Sequence, residues 1–216
     1  AHVHWQLLCE SYLSLLCVVS PAGSVRVTPL NTTEDNGATT TFTCTASGGP
    51  DNTIVWIRGA DVSSAGSGSG FDSSAFLQQL TTISSGPNLT ISSIDATQDG
   101  GMYTCVVVNQ AGQDSANVTL YVRPLIVEQP QDQLTREGDS VTLSCRADSF
   151  PSPLYQWEKY NTTSGSYYQL PGETNHTLVF GSVDFDDFGD YRCVATAPVI
   201  GDTDTSDNAT ITGECV

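Results

Sequence analysis

Basic residues are scarce in this chain of 216 residues, which has 7 Lys and Arg against 24 Asp and Glu and a formal net charge of −17. Binding to nucleic acid or to an anionic membrane requires clusters of Lys and Arg that neutralise phosphates. The basic residues here are scattered instead: Arg26, Arg58, Arg123, Arg136, Arg146, Lys159 and Arg192. We therefore expect no nucleic acid and no heparin-like polysaccharide as partners, and the acidic surface is interpreted as an aid to solubility.

Histidine is scarce too, with two of the three histidines within the first four residues and the third at His176. A Ser or Cys nucleophile needs a positioned base, and no plausible base accompanies these residues. The glycine-rich run Gly66–Gly70 imitates a phosphate-binding loop, but no helix-forming segment is expected after it. The sequence therefore predicts a segment without catalytic residues, cofactor or metal.

Long apolar runs are missing as well. The apolar stretch within residues 5–19 is too short for a membrane helix and has Glu10 nearby. Small residues follow it at Ser20–Gly23, as at a signal-peptidase site. We interpret residues 1–22 as the remnant of a secretory signal peptide cleaved near Ala22, which would remove Cys9 and Cys17.

A seven-residue motif, D-x-G-x-Y-x-C, occurs twice, at Asp99–Cys105 and at Asp187–Cys193. Each copy has a cysteine and then a tryptophan upstream at similar distances: Cys44 and Trp56 for the first copy, Cys145 and Trp157 for the second. This arrangement resembles the immunoglobulin superfamily, twice over.

The resemblance implies an all-β fold of two tandem immunoglobulin-like Greek-key β-sandwiches, each with one intersheet disulfide. Four cysteines allow three pairings, and only the resemblance selects Cys44 with Cys105 and Cys145 with Cys193. It also implies that the tryptophans pack against the bridges and that the tyrosine hydroxyls fix the turn before the second cysteine. The core residues so predicted are Trp56, Tyr103, Trp157 and Tyr191.

The repeat divides the chain into residues 23–122 and 126–212, each long enough to bury a core of its own. Residues 123–125 form a short linker and residues 213–216 a tail. The linker contains Pro124, which fixes one backbone angle, and lacks a Gly or Ser run. We therefore expect a stiff tandem.

Sequons for N-glycosylation indicate an oxidising, extracellular environment. Six of the nine asparagines lie in N-x-S/T sequences: Asn31, Asn88, Asn117, Asn161, Asn175 and Asn208. The alternative is that a chain rich in Ser and Thr contains unused sequons by chance. Period-two strand phase argues against it, because Val118, Leu120 and Val122 share one face and Asn117 takes the other.

Two further segments leave alternatives open. Residues 61–74 contain Ser67-Gly68-Ser69-Gly70 and predict a mobile surface loop. Phe71 and Phe76 beside it are either an aromatic anchor for a partner or packed on the edge of their own sheet.

The triplet Asp187-Phe188-Gly189 matches a metal-binding motif of kinases but is interpreted as a turn. The alternative is that this acidic segment binds calcium, although its spacing is not that of an EF-hand. The acidic residues concerned are Asp184, Asp186, Asp187 and Asp190.

The leading interpretation is a protein-recognition module on the extracellular side of the cell surface, from an adhesion molecule or receptor that is single-pass or secreted. Its partner is a protein ligand or a second copy of the chain. Cys215 is either half of an interchain disulfide that forms a dimer or pairs with a cysteine elsewhere. The alternatives are the ligand-binding ectodomain of a receptor tyrosine kinase and a structural immunoglobulin array.

Overall fold

The computed structural model of the chain describes residues 24–47, 51–59, 62, 71–110 and 112–214. These residues form two β-sandwiches in succession, called domain 1 and domain 2, which confirms the predicted all-β fold. The predicted signal-peptide remnant and Cys215 lie outside the described residues. Within the described part of the chain, no helix is long and apolar enough to cross a membrane.

Domain 1 is built from strands of 4 to 17 residues. Burial alternates along Thr40–Ala46, as expected where one face of a sheet packs on a core, and is nearly continuous along Gly101–Asn109. Its elements in chain order are β1 (Val25–Thr28), β2 (Asn31–Glu34), β3 (Thr40–Ala46), β4 (Thr53–Arg58), α1 (Ser73–Gln78), β5 (Thr82–Ser85), β6 (Asn88–Ile91), β7 (Gly101–Asn109) and β8 (Gly112–Glu128). One sheet has the order β1-β3-β6, and the facing sheet runs β8-β7-β4-β5 with β2 parallel to β8.

Domain 2 is also a sandwich of two sheets. Its elements are β9 (Gln133–Thr135), β10 (Val141–Ser144), β11 (Arg146–Phe150), β12 (Leu154–Asn161), β13 (Ser166–Gln169), β14 (Thr177–Phe180), a 3-10 turn (Phe185–Asp187), β15 (Gly189–Thr196), β16 (Thr203–Thr205) and β17 (Ala209–Gly213). The larger sheet has the order β13-β12-β15-β17-β9, with β16 paired to β15. It faces the pair β10-β14.

One disulfide links the facing sheets of each sandwich, which confirms both predicted pairings. Cys44 is bonded to Cys105 and Cys145 to Cys193, across sequence separations of 61 and 48 residues. Closing loops of this length stabilises a domain by roughly 4 kcal/mol on the chain-entropy model. Trp56 and Trp157 are fully buried in the two cores that surround these bridges.

A buried tyrosine fixes the same turn in both domains. The hydroxyl of Tyr103 donates to the carbonyl oxygen of Asp99 at 2.6 Å, and that of Tyr191 donates to the carbonyl oxygen of Asp187 at 2.6 Å. The two tyrosines are 3% and 1% exposed. Each bond therefore satisfies a hydroxyl that burial would otherwise leave unpaired.

The two domains are joined by a strand rather than by a loop. β8 has 17 residues and includes the predicted linker, residues 123–125. Its C-terminal part pairs with β11 of domain 2. Arg123 lies at the crossing point, where its Nε is 2.9 Å from Asp202 Oδ2 of domain 2 and its Nη1 is 3.1 Å from Asp35 Oδ1 of domain 1. The stiffness of the tandem stays a prediction.

Phe150 of domain 2 packs against the core of domain 1. It lies over Gly100, where a Cβ atom would be 2.2 Å from the Phe150 Cβ and 2.7 Å from the Ala96 carbonyl oxygen. In the repeated motif, Gly100 occupies the position that Phe188 takes in domain 2, and Phe188 packs on the core of its own domain. Phe150 of domain 2 therefore covers the turn of domain 1, whereas Phe188 covers the equivalent turn within domain 2.

Candidate functional site

The outer face of domain 1, the side of the β8-β7-β4-β5 sheet that points away from the core, is apolar at its centre. Val55 and Ile57 of β4 and Val106 and Val108 of β7 alternate with core residues and form a separate cluster. All four are buried, with exposures between 0% and 6%. Something other than the facing sheet must therefore cover them.

A segment of domain 1 itself covers this face. The cap consists of apolar side chains from the connection between β4 and β5 that pack on the four aliphatic residues: Val62, Phe71, Phe76, Leu77 and Leu80. The rings of Phe71 and Phe76 have their centroids 5.6 Å apart. Both predicted anchor residues thus lie against their own sheet, and their role in binding a partner stays a prediction.

The helix in the cap was not expected from the sequence. Residues 63–70 of the predicted mobile loop lie outside the described residues, but α1 begins at Ser73, three residues after Gly70. The prediction that no helix follows the glycine-rich run was wrong.

The N-terminus of α1 is satisfied by the Asp72 side chain, which accepts from the Ser74 and Ala75 amides at 3.0 Å each. This carboxylate occupies the position that a phosphate would need, which argues against a phosphate-binding loop.

The outer face of domain 2, the side of the β13-β12-β15-β17 sheet that points away from its core, is polar. Four side chains form what we call the Arg192 array: Glu158, Tyr160, Tyr167 and Arg192. Arg192 donates to Glu158 Oε2 from Nε at 2.8 Å and from Nη2 at 2.7 Å. Its guanidinium lies 3.9 Å from the Tyr167 ring centroid, and the Tyr160 ring is 5.1 Å from that of Tyr167.

The Arg192 array holds its side chains in fixed positions by stacking and ion pairing. The Arg192 and Glu158 side chains keep 32% and 14% of their exposure, so they are partly desolvated but accessible. Burial raises the pKa of Tyr167, and the Asp190 carboxylate raises it further, so this hydroxyl remains a hydrogen-bond donor at neutral pH. Arginine and tyrosine in such a setting are typical of the energetic centres of protein interfaces.

Neither Arg192 nor Glu158 was predicted from the sequence as a site residue. The signal that finds them is strand phase. Since Trp157 and Cys193 point into the core, their neighbours Glu158 and Arg192 must point outward, and the two are cross-strand partners. From the sequence, strand phase was used only to place Asn117.

All six sequon asparagines are exposed. Two of them lie beside the outer face of domain 1: Asn117 on β8 accepts from Thr104 Oγ1 at 2.8 Å, and Asn31 on β2 accepts from the Thr119 amide at 3.2 Å. In both cases the bond uses Oδ1, which leaves Nδ2, the atom that carries sugar, outside that bond. Glycans at these sites would add to the cap and obstruct that face.

The acidic residues around the 3-10 turn act as acceptors within the turn. Asp184 Oδ1 accepts from the Asp186 amide at 2.9 Å, and Asp187 Oδ2 accepts from the Asp184 amide at 3.0 Å. Asp190 accepts from Thr210 Oγ1 at 2.7 Å. In the described part of the chain, no group of three or more His, Cys, Asp or Glu residues is arranged to hold a metal ion. The carboxylates of Asp184, Asp187 and Asp190 thus stabilise the local fold.

Comparison with known proteins places these features in a family. A model described as immunoglobulin domain matches residues 24–109 and 123–196. Protein sidekick-1 of Mus musculus is 32% identical over 181 residues, which is 81% of this chain and 8% of that protein. Protein sidekick of Drosophila melanogaster is 29% identical over 194 residues, covering 85% of this chain and 8% of that protein. Netrin receptor DCC of Homo sapiens is 29% identical over 171 residues, covering 77% and 11% respectively.

The chain thus spans only a small part of the length of these relatives. Among solved structures, one described as the structural basis for Dscam isoform specificity has a TM-score of 0.58 at 18% identity, covering 92% of this chain and 47% of that one. The N-terminal four Ig domains of Dscam1 isoform 4.44 have a TM-score of 0.60 at 17% identity, covering 91% and 47%. At such identities the likeness shows the fold alone.

Proposed function

Because this chain belongs to the immunoglobulin domain family, we propose that it is an extracellular protein-recognition module of a cell-surface adhesion molecule or receptor, and that it binds a second copy of itself. The segment acts by binding and carries out no catalysis. The observation that carries the proposal is the Arg192 array, an ordered and accessible group of aromatic and charged side chains on a sheet face. Immunoglobulin domains bind through such faces or through their loops.

Several features support the extracellular side of the cell surface. The two disulfides require an oxidising compartment to persist. The sequon asparagines are all exposed, so a glycosylating enzyme can reach them without unfolding either domain. One relative over most of this chain is by name a receptor, Netrin receptor DCC.

Charge supports the Arg192 array as the place where two copies meet. With a net charge of −17, two copies repel each other over most of their surface. At the array, Glu158 is neutralised by Arg192 within each copy. The stacking also restricts the side chains before binding, which lowers the entropy lost on association. A two-fold contact through this face would place the same residues on both sides of the interface.

Sedimentation velocity over a concentration series tests the proposal, on the full chain carrying Cys215→Ser and secreted from eukaryotic cells. We expect a reversible dimer that strengthens as salt is added, because salt screens the repulsion between two acidic copies. Arg192→Ala should abolish the dimer. Arg26→Ala is the control. It removes the same charge from an exposed position on β1 of domain 1, away from the Arg192 array, and should leave the dimer intact.

Other outcomes separate the alternatives. A strict monomer up to about 100 μM would overturn self-association, since even weak contacts are detectable in that range, and would indicate a separate protein ligand. Binding to such a ligand with a basic surface would weaken as salt is added, which is the opposite dependence. A dimer present only in the unsubstituted chain and lost on reduction would assign dimer formation to Cys215.

A further inference from the structure

A groove lies at the end of domain 2 where the hairpin of β12 and β13 faces the 3-10 turn. Its cavity volume is about 490 Å³, within the range of sites for small molecules. The walls include Tyr168 from the hairpin and Phe185 and Phe188 from the turn. Lys159 and Asp186 also line it, so polar groups accompany the aromatic rings.

The aromatic walls of this groove are open to solvent. Phe185 is 73% exposed and Tyr168 is 46% exposed, which is high for large aromatic rings that line one groove. The Phe185 ring is held in place edge-on to Phe188, with centroids 6.0 Å apart, and Phe188 packs on the domain 2 core. The groove therefore presents aromatic rings beside polar groups, and nothing in the described chain covers these rings.

A glycosylation sequon forms the rim of the same groove. Asn161 and Thr162 are among the lining residues, and Asn161 is the acceptor of the sequence Asn161-Thr162-Thr163. The Asn161 Oδ1 accepts from the Thr163 amide at 2.9 Å and from the Ser164 amide at 3.2 Å. These bonds orient the side chain and leave Nδ2 outside them, and Nδ2 is the atom to which sugar is attached.

We propose that this groove is the binding site for the first N-acetylglucosamine residues of a glycan carried by Asn161. The pyranose ring has an apolar face of C–H groups that matches the aromatic walls, and its hydroxyl and acetamido groups match Lys159 and Asp186. Attachment at the rim gives the sugar a high effective concentration in the groove, so a weak contact suffices to hold it there. The inference rests on the proposed extracellular function.

The bound sugar would cover the exposed rings and would lie beside the Arg192 array, because Tyr160 of the array also lines the groove. The glycan then acts as part of the fold of domain 2. This differs from Asn175, which is exposed and is not among the residues that line the groove. Asn175 therefore provides an internal control.

The test is a double-mutant cycle on the full chain secreted from eukaryotic cells. Thr163→Ala removes the sequon but keeps Asn161 and its two backbone hydrogen bonds, while Thr163→Ser keeps the sequon. We expect Thr163→Ala to lower the Tm of domain 2 by about 2–4 °C, Thr163→Ser to have no effect, and Asn175→Gln to have none. Phe185→Ala should lower the Tm less in the Thr163→Ala background than in the unsubstituted chain.

A spectroscopic readout distinguishes this contact from a merely structural role of Phe185. In the NMR spectrum, ring currents should shift the acetamido methyl signal of the Asn161-linked sugar upfield, and Phe185→Ala should remove the shift. Glycopeptide mass spectrometry first establishes whether Asn161 carries a glycan. An unmodified Asn161, an unshifted methyl signal, or equal effects of Phe185→Ala with and without the sequon would each overturn the proposal. Failure of self-association alone would not.

Discussion

Domain 1 and domain 2 share the same cysteine, tryptophan and tyrosine framework but obtain the cover for their apolar surfaces differently. In domain 1 the outer face is aliphatic and is covered by the cap, and the turn at Gly100 is covered by Phe150 from domain 2. In domain 2 the outer face is polar, and the equivalent turn carries its own Phe188. The same motif is therefore covered at its turn by a residue of the other domain in domain 1 and by its own phenylalanine in domain 2.

The difference implies that domain 1 takes from domain 2 an aromatic side chain that domain 2 provides for itself. Removing domain 2 would expose apolar surface of domain 1 around Gly100 and would cost the hydrophobic stabilisation that Phe150 supplies. The Phe188 side chain gives domain 2 the corresponding stabilisation within its own sandwich. We therefore expect domain 1 to be the less independent folding unit.

The largest expected effect comes from filling the space above Gly100. Gly100→Ala should lower the free energy of unfolding of domain 1 by about 3 kcal/mol, because the new Cβ would overlap both Phe150 and the backbone of Ala96. Chemical denaturation with a domain 1 probe measures the loss. Gly181→Ala is the matched control, since a Cβ there has no atom within 4 Å, and it should change stability by less than about 0.5 kcal/mol.

A smaller effect is expected from opening the cap. Phe76→Ser should cost about 2 kcal/mol, because it removes half-buried aromatic surface and partly uncovers Val106 and its neighbours. Increased binding of a hydrophobic dye should accompany the loss of stability. Leu154→Ser removes an apolar side chain that is 63% exposed on domain 2 and should produce neither change. Equal dye binding by the two variants would contradict the role of the cap.

Removing a tyrosine hydroxyl should lower the free energy of unfolding of its domain by about 1 kcal/mol, since Tyr103→Phe or Tyr191→Phe removes one hydrogen bond to a carbonyl.

Burial raises the pKa of both tyrosines. Near Tyr103 the Arg58 guanidinium opposes this shift, whereas near Tyr191 the Asp187 carboxylate adds to it. A raised folded-state pKa contributes stability that is present below the unfolded pKa of about 10 and is lost as pH rises above it.

Alkaline unfolding monitored in each domain checks this sign. Domain 2 should lose more stability than domain 1 between about pH 10 and pH 12, because Tyr191 has the larger shift. The Tyr191→Phe variant should be less sensitive to pH over that range. A parent chain whose two domains lose no stability there would contradict the assignment of the raised pKa values to the folded state.

The smallest effect is expected at Arg123. Arg123→Ala breaks ion pairs with Asp35 and Asp202 that are largely solvated, so it should cost about 0.5–1 kcal/mol at low salt and less at high salt. Its distinctive result should be a wider range of interdomain angles in small-angle X-ray scattering. Arg136→Ala breaks a pair within domain 2 at 2.7 Å from Glu214 and should leave the angles unchanged.

The framework of the fold could be predicted from the sequence because its parts are local and repeated. The D-x-G-x-Y-x-C motif and the upstream Cys and Trp residues placed both disulfides correctly. α1 was missed because it is only six residues long and contains two serines near its start, so its stability comes from packing on the sheet rather than from propensity.

The contact of Phe150 with Gly100 could not be predicted for a different reason. It joins residues from two domains, and no periodicity or spacing links them. Gly100 looked like an ordinary turn residue in the motif, although the second copy has phenylalanine there. Only the continuous β8, which fixes how β11 approaches domain 1, brings the two positions together.

The most direct test of the coupling is hydrogen–deuterium exchange of Phe150→Ala compared with the unsubstituted chain. The account predicts faster exchange across residues 96–102 and β7 of domain 1, although the substitution is in domain 2, whereas Phe188→Ala should speed exchange only within domain 2. Faster exchange confined to β11 and its domain 2 neighbours in the Phe150→Ala variant would contradict the claim that domain 2 completes the core of domain 1.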